Sequence, residues 1–151
     1  MTDLDQLLRD NGARLARIAR HYARAGEQQD LLQEITIALW RGLARFEGKS
    51  KLSTWVYRVA INTALQYVRR RQLPVEPLQH EPQGATDMAD AMMLLDEFLN
   101  GLSPVDRAIL LLDLEGVERP EAAEIMGLSE GAIAVRMTRM KAAFTEKYLE
   151  E

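Results

Sequence analysis

The sequence contains no cysteine, so neither a disulfide framework nor a thiolate metal site can exist within these 151 residues. No apolar run is long enough to cross a bilayer, and the first residues lack the basic start of a secretory signal peptide. We therefore expect an intracellular, cytoplasmic protein.

Groups that commonly build active sites are also scarce. The two histidines, His21 and His80, are far apart in sequence, and no phosphate-binding glycine loop is present. Ser53 and Ser129 have no candidate base nearby, so helix capping explains them better than nucleophilic catalysis. The sequence predicts no enzyme, no metal or other cofactor, and no small-molecule substrate.

The two halves of the chain carry net charges of opposite sign, although the net charge of the whole is only −4. Residues 1–73 contain 13 Lys and Arg against 7 Asp and Glu, whereas residues 90–151 contain 6 against 13. The segment between them carries three acidic residues and no basic one. A basic half joined to an acidic half indicates two modules with different partners.

The stretch from Lys49 to Arg71 concentrates the groups that nucleic acid requires. A basic loop leads into an amphipathic helix whose apolar side is predicted to include Trp55, Val56, Val59, Ala60 and Thr63. Polar and basic side chains are predicted to lie along a different side of the helix, which ends in Arg69, Arg70 and Arg71. Such a helix can pack on one side and lie along nucleic acid on the other.

Almost every other segment has helical periodicity, and no strand pattern is evident, so the predicted fold class is all-α. Residues 1–72 are predicted to form a small helical domain. Residues 73–87, with three prolines and no apolar period, are predicted to be a flexible linker. Residues 88–151 are predicted to form a second small helical domain.

The second domain has the pattern of a helix-turn-helix. A short helix reaches Gly127, and Ser129 can cap a final helix from Glu130 to about residue 149. Ile133, Met137 and Met140 fit the buried side of that helix, while Arg136, Arg139 and Lys141 fall elsewhere.

Two sets of segments resemble the bacterial extracytoplasmic-function (ECF) sigma factors, a subfamily of the sigma-70 family of RNA polymerase subunits. DLLQEITIALW (30–40), FEGK (46–49) and LSTWVYRVAIN (52–62) resemble the first domain of that family. LSPVDRAILLL (102–112), EAAEIMGLSEG (121–131) and RMTR (136–139) resemble its second domain, the helix-turn-helix. The resemblance spans nearly the whole chain, in the family's order.

This resemblance implies a promoter-specificity subunit that binds core RNA polymerase, recognises and melts promoter DNA, and starts transcription. The implied polymerase-binding residues, expected to be free for a partner helix, are Asp30, Gln33 and Glu34. Trp40 and Trp55 are interpreted as core residues, and Tyr57 and Tyr67 are left open. The implied contacts to the −10 promoter element are Lys49, Ser50, Lys51, Arg58, Asn62, Gln66, Arg69, Arg70 and Arg71.

The second domain departs from the family pattern where it would read the −35 element. Residues 132–136 are Ala-Ile-Ala-Val-Arg, where the family usually has Thr-Val-x-Ser-Arg, and Arg119-Pro120 replaces an aromatic-acidic pair. Readout would therefore depend on thymine methyls, one hydroxyl and DNA shape. The implied contacts are Ala134, Val135, Arg136, Thr138, Arg139 and Lys141.

Two alternative functions remain compatible with the residues. One is a sigma-like interaction protein that acts mainly through a regulatory partner of the anti-sigma type. The other is a stand-alone helix-turn-helix regulator that binds duplex DNA as a dimer. An anti-sigma partner, which could hold the protein at the inner membrane, is also expected for a working sigma factor.

Overall fold

The structure, a computed structural model, describes residues 3–71 and 87–149, apart from the side chains of residues 87–89. Within these ranges the chain forms seven α-helices and no strand, which confirms the all-α prediction. The chain divides into two compact units, Met1–Leu73 and Pro74–Glu151. The predicted linker lies outside the described residues except for Asp87, which opens a helix.

The first unit is a three-helix core built from α1 (Leu4–Tyr22), α2 (Gln28–Leu43) and α3 (Leu52–Arg71). Each helix packs against the other two. The Asp3 side chain caps α1 by accepting from the backbone N–H of Asp5. The central buried side chains are those of Leu7, Leu15, Ile18, Leu31, Ile35, Leu39, Ala60, Ile61, Ala64 and Tyr67.

The buried face of α3 differs from the one predicted. Val56 and Ala60 are buried as predicted, but Trp55, Val59 and Thr63 are only half-buried. The side that faces α1 and α2 contains Tyr57, Ala60, Ile61, Ala64 and Tyr67. Two neighbouring arcs of α3 have similar apolar content, and the helix buries the arc whose alanines permit close approach. Tyr57 and Tyr67 are therefore core residues.

The second unit contains α4 (Asp87–Gly101), α5 (Pro104–Leu114), α6 (Arg119–Met126) and α7 (Glu130–Tyr148). The Ser129 hydroxyl accepts from the N–H of Ala132 at 3.1 Å and so caps α7. Gly127 ends α6 in the left-handed region, at a φ of 68°, which a side chain would disfavour. The predicted helix-turn-helix is thus α6 and α7, with Ile133, Met137 and Met140 buried as expected.

Arg107 of α5 holds the carboxyl end of α4 in the second unit. Its guanidinium group is buried and donates to the backbone carbonyl oxygens of Leu99 (2.9 Å), Asn100 (3.2 Å) and Leu102 (3.1 Å). Carbonyl groups at the end of a helix have no partner within that helix, so a buried end needs donors of this kind.

Arg107→Met should destabilise the second unit by about 3 kcal/mol, because it leaves several buried carbonyl groups without donors. Chemical unfolding followed by circular dichroism would measure the change. Arg119→Met, at an exposed arginine of α6, is the matched control and should change stability by less than about 0.5 kcal/mol. Equal stability of the two variants would contradict this role of Arg107.

Candidate nucleic-acid and protein interfaces

The outer side of α3 carries a line of polar and basic side chains. Arg58, Asn62, Gln66 and Arg69 are all exposed, and their spacings of four, four and three residues place them on one side of the helix. Guanidinium groups bind phosphates, and side-chain amides can pair with base edges. This part of the predicted DNA-binding set therefore forms one continuous surface.

The outer side of α2 carries a second line, in which polar residues lead into apolar ones. Asp30 and Gln33 are exposed as predicted, and Ile37 and Trp40 continue their spacing with 40% and 62% of their surfaces exposed. The interpretation of Trp40 as a core residue is wrong. The inward stripe of α2 ends at Leu39, and the next residue along a helix points about 100° away from it.

An exposed tryptophan beside an exposed isoleucine is typical of a protein-binding surface, since both would otherwise be unfavourably hydrated. Sequence reasoning missed this pair, although a signal was present. Ile37 and Trp40 share the three- and four-residue spacing of Asp30 and Gln33, and not that of Leu31, Ile35 and Leu39.

Glu34, predicted to be free for a partner, is paired within the first unit. The Arg70 guanidinium donates to both carboxylate oxygens of Glu34, at 2.8 and 3.0 Å. The packing of α2 on α3 brings these opposite charges together at the surface, where 62% of Arg70 and 38% of Glu34 are exposed. An exposed pair of this kind contributes less than about 1 kcal/mol, so a partner's charged group can replace either member.

A second pairing between the two helices joins the beginning of α2 to the end of α3. Glu27 accepts from the Tyr67 hydroxyl at 3.1 Å and from the Arg71 guanidinium at 3.2 Å. Arg71 also lies over the Tyr67 ring, 4.7 Å from its centroid. Burial raises the pKa of Tyr67 above its ordinary value of 10.0, and the nearby Glu27 carboxylate raises it further.

The segment between α2 and α3 presents the remaining predicted −10 contacts. Lys49 and Lys51 are exposed and Ser50 is half-buried. Lys49 pairs with Glu47 at 3.2 Å across Gly48, which has a φ of 75°. Because both members of that pair are highly exposed, solvent and salt screen it, and Lys49 remains available to a phosphate.

The predicted −35 residues on α7 divide into two groups. Val135, Thr138, Arg139 and Lys141 are exposed, and Ala134 is half-buried. Arg136 instead donates to the Asp106 carboxylate of α5 at 2.7 Å, so its guanidinium points toward its own domain. The exposed group therefore offers apolar surface, one hydroxyl and two cations.

Neither a metal site nor a membrane span is found in the part of the chain that the structure describes. Within residues 3–71 and 87–149 no three potential metal-ligating side chains lie together. In the same ranges no helix has the length and apolar character needed to cross a bilayer. His21 is buried in α1, and His80 lies outside the described residues.

Two family models match the chain. Residues 7–73 match the one described as Sigma-70 region 2, and residues 92–150 match the one described as Sigma-70, region 4. The first match contains the outer faces of α2 and α3, and the second contains the helix-turn-helix.

Known proteins show the same similarity over most of their length. The chain is 30% identical over 154 residues to the ECF RNA polymerase sigma-E factor of Escherichia coli K12, covering 89% of this chain and 80% of that protein. It is 28% identical to the ECF RNA polymerase sigma factor SigM of Mycobacterium tuberculosis, covering 91% and 73%. The fold matches the sigma factor RpoE of Bartonella quintana, solved with the anti-sigma factor NepR, with a TM-score of 0.77, 24% identity and 97% and 96% coverage.

The raised pKa of Tyr67 predicts a loss of stability in alkali. Above about pH 10 the unfolded chain releases the phenolic proton first, so the free energy of unfolding should fall until the folded protein also titrates. Tryptophan fluorescence during unfolding would measure this in the first unit alone, because both tryptophans, Trp40 and Trp55, belong to it.

Tyr67→Phe should remove this part of the alkaline fall, whereas Tyr148→Phe in the second unit should leave it intact. An alkaline profile of Tyr67→Phe identical to that of the unchanged protein would contradict the prediction.

Proposed function

The chain belongs to the ECF family of RNA polymerase sigma factors, and from this premise we propose which of its surfaces performs each step of initiation. As a member it is a promoter-specificity subunit of RNA polymerase and not an enzyme. We assign polymerase binding and −10 recognition, the role of region 2, to residues 1–72. Residues 73–87 are assigned a connecting role, and −35 recognition, the role of region 4, is assigned to residues 88–151. The two compact units and the two matched segments support this division.

The outer face of α2 is the proposed polymerase dock. Asp30 and Gln33 supply hydrogen-bonding groups at one end, and Ile37 and Trp40 supply apolar surface at the other. Tryptophan is enriched among the residues that dominate protein-binding energy, because it buries a large rigid surface. Glu34 lies at the edge of this face, where a cation of the partner can replace Arg70.

The outer face of α3 and the preceding loop form the proposed −10 surface. The main observation that supports this assignment is the single exposed line of Arg58, Asn62, Gln66 and Arg69, which combines cations with amides. Opening a promoter requires cations that follow the strands and polar groups that bind a base removed from the stack. Loop residues Lys49, Ser50 and Lys51 and the terminal Arg70 and Arg71 complete this set.

The second unit is proposed to contact the −35 region through α7. The contacts would come from Val135, Thr138, Arg139 and Lys141, with Ala134 and Arg136 beside them. Residues 90–151 carry a net charge of −7, which opposes approach to DNA. We therefore expect this unit to bind promoter DNA weakly by itself and usefully only within the polymerase complex.

We propose that the protein acts in the cytoplasm, as part of the polymerase complex on promoter DNA. A regulatory anti-sigma partner is proposed as well, with attachment at the inner membrane as one consequence. The support is by analogy: the structurally similar RpoE was solved in complex with the anti-sigma factor NepR.

Trp40→Ala should weaken binding to core polymerase by about thirtyfold, the effect of losing a central interface tryptophan. Because Trp40 is largely exposed, the stability of the free protein should change by less than about 0.5 kcal/mol. Fluorescence anisotropy with purified core polymerase would measure the affinity. Met92→Ala is the matched control, an equally exposed apolar residue of the second unit that should leave the affinity unchanged.

Replacing Asn62 and Gln66 together with Ala should reduce promoter opening and leave polymerase affinity unchanged, because both side chains lie on α3 and not on the dock. Transcription in vitro with core polymerase and a genomic template, with transcript starts mapped, would identify promoters for the unchanged protein. Permanganate footprinting would then measure their opening by each variant. The absence of any protein-dependent transcript would refute the proposed function, and a loss of polymerase affinity would refute the division between α2 and α3.

A further inference from the structure

Helices α2 and α3 approach each other closely where a glycine meets a tryptophan. A Cβ atom built on Gly42 would lie 2.8 Å from Cζ2 of Trp55, 3.6 Å from Cη2 and 3.8 Å from Cε2. Carbon atoms in ordinary contact are about 3.5–4.0 Å apart, so no side chain fits between these residues without movement. The six-membered ring of the indole therefore rests directly on the backbone of α2.

The same tryptophan is tied to both ends of the segment that joins the two helices. Phe46, the first aromatic residue after α2, packs on the Trp55 indole with ring centroids 5.2 Å apart and planes tilted by 41°. At the other end of the segment the backbone N–H of Trp55 donates to the Lys51 carbonyl oxygen at 3.1 Å. The Trp55 indole thus contacts the end of α2 and the beginning of the loop, and the Trp55 backbone makes the first-turn hydrogen bond of α3 to the end of the loop.

Trp55 is also aligned with the proposed −10 surface. It precedes Asn62 by seven residues and Gln66 by eleven, which places all three on the same side of α3. Lys49, Ser50 and Lys51 lie between Phe46, which packs on the indole, and the first turn of α3. A displacement of the indole would move these loop residues relative to the amides on α3.

We propose that Gly42 and Trp55 are positioning residues for promoter opening. The indole, seated on the bare backbone at Gly42, sets the distance between the loop of Lys49 to Lys51 and the Asn62–Gln66 face. This inference depends on the proposed −10 role of that face. A site of this kind must hold its groups within about 0.5 Å, whereas a methyl group at Gly42 would force a shift of about 1 Å.

The test uses the full-length Gly42→Ala protein assembled with core polymerase. Polymerase affinity should stay within about twofold, whereas open-complex formation on duplex promoters should fall by about tenfold or more, as expected for a misplacement of about 1 Å. The preference among single-base changes in the −10 element should also weaken. Gly12→Ala is the matched control, since Gly12 is also helical but a Cβ atom placed there meets no neighbouring element of the described chain within 4 Å.

A compensating variant tests the contact itself. Trp55→Phe removes the second indole ring, so combining it with Gly42→Ala makes room for the methyl group. The double variant should recover promoter opening relative to Gly42→Ala. A structural defect unrelated to this contact would not be relieved by a second change at Trp55, so failure to recover would overturn the proposal.

Other outcomes are equally decisive. Promoter opening by Gly42→Ala equal to that by Gly12→Ala would overturn the proposal, as would a matching loss of polymerase affinity, which would assign Gly42 to the dock. Should Gly42→Ala not fold, Trp55→Phe alone takes its place: unchanged opening overturns the proposal, and reduced opening at unchanged polymerase affinity supports it. If the unchanged protein opens no promoter, the proposed function itself fails, which distinguishes the two.

Discussion

The burial of one arc of α3 against α1 and α2 determines what the first unit can present to its partners. Ala60, Ala64 and Tyr67 have no exposed surface, and Ile61 and Tyr57 are nearly as deeply buried. Each large side chain buried in this way contributes about 1.5–3 kcal/mol, so rotating the helix by one residue would cost most of the unit's stability. With the rotation of α3 fixed, Asn62 and Gln66 necessarily face outward, so the packing determines which residues form the proposed −10 surface.

The same packing makes the two proposed interfaces share residues. Arg70 and Arg71 belong to the predicted DNA-binding set, yet they pair with Glu34 and Glu27 at the edge of the proposed polymerase dock. While those pairs persist, much of the positive potential of the two arginines is neutralised, and Arg58, Arg69 and the loop lysines Lys49 and Lys51 supply most of the positive charge of the proposed −10 surface. Each exposed pair contributes less than about 1 kcal/mol, so the exchange of partners during assembly is energetically easy.

Helices, caps and the helix-turn-helix could be predicted because each depends on local chemistry, such as the hydroxyl of Ser129 or the left-handed backbone of Gly127. Which side of a helix is buried depends also on the neighbouring helices: the buried side of α7 was predicted, but for α3 and for Trp40 of α2 the sequence pattern was misleading. Trp40 is large and apolar, which favoured a core interpretation, but the position of Leu39 in the core turns it outward. The pairing of Glu34 with Arg70 joins residues 36 positions apart, so no local pattern could reveal it.

The second unit is acidic, so its charge complements that of DNA poorly. Its covalent connection to the first unit compensates for this. Exposed cations on α7 are few, and Arg136, one of the predicted DNA contacts, is paired with Asp106 of its own domain. In the proposed division of roles, binding of the first unit to polymerase and the −10 element turns any contact by α7 into an intramolecular event, with an effective concentration on the order of millimolar. At that concentration even a poor DNA-binding surface is occupied, whereas free in solution it would not compete for promoters. An acidic second unit therefore favours action by the assembled complex over binding by the isolated subunit.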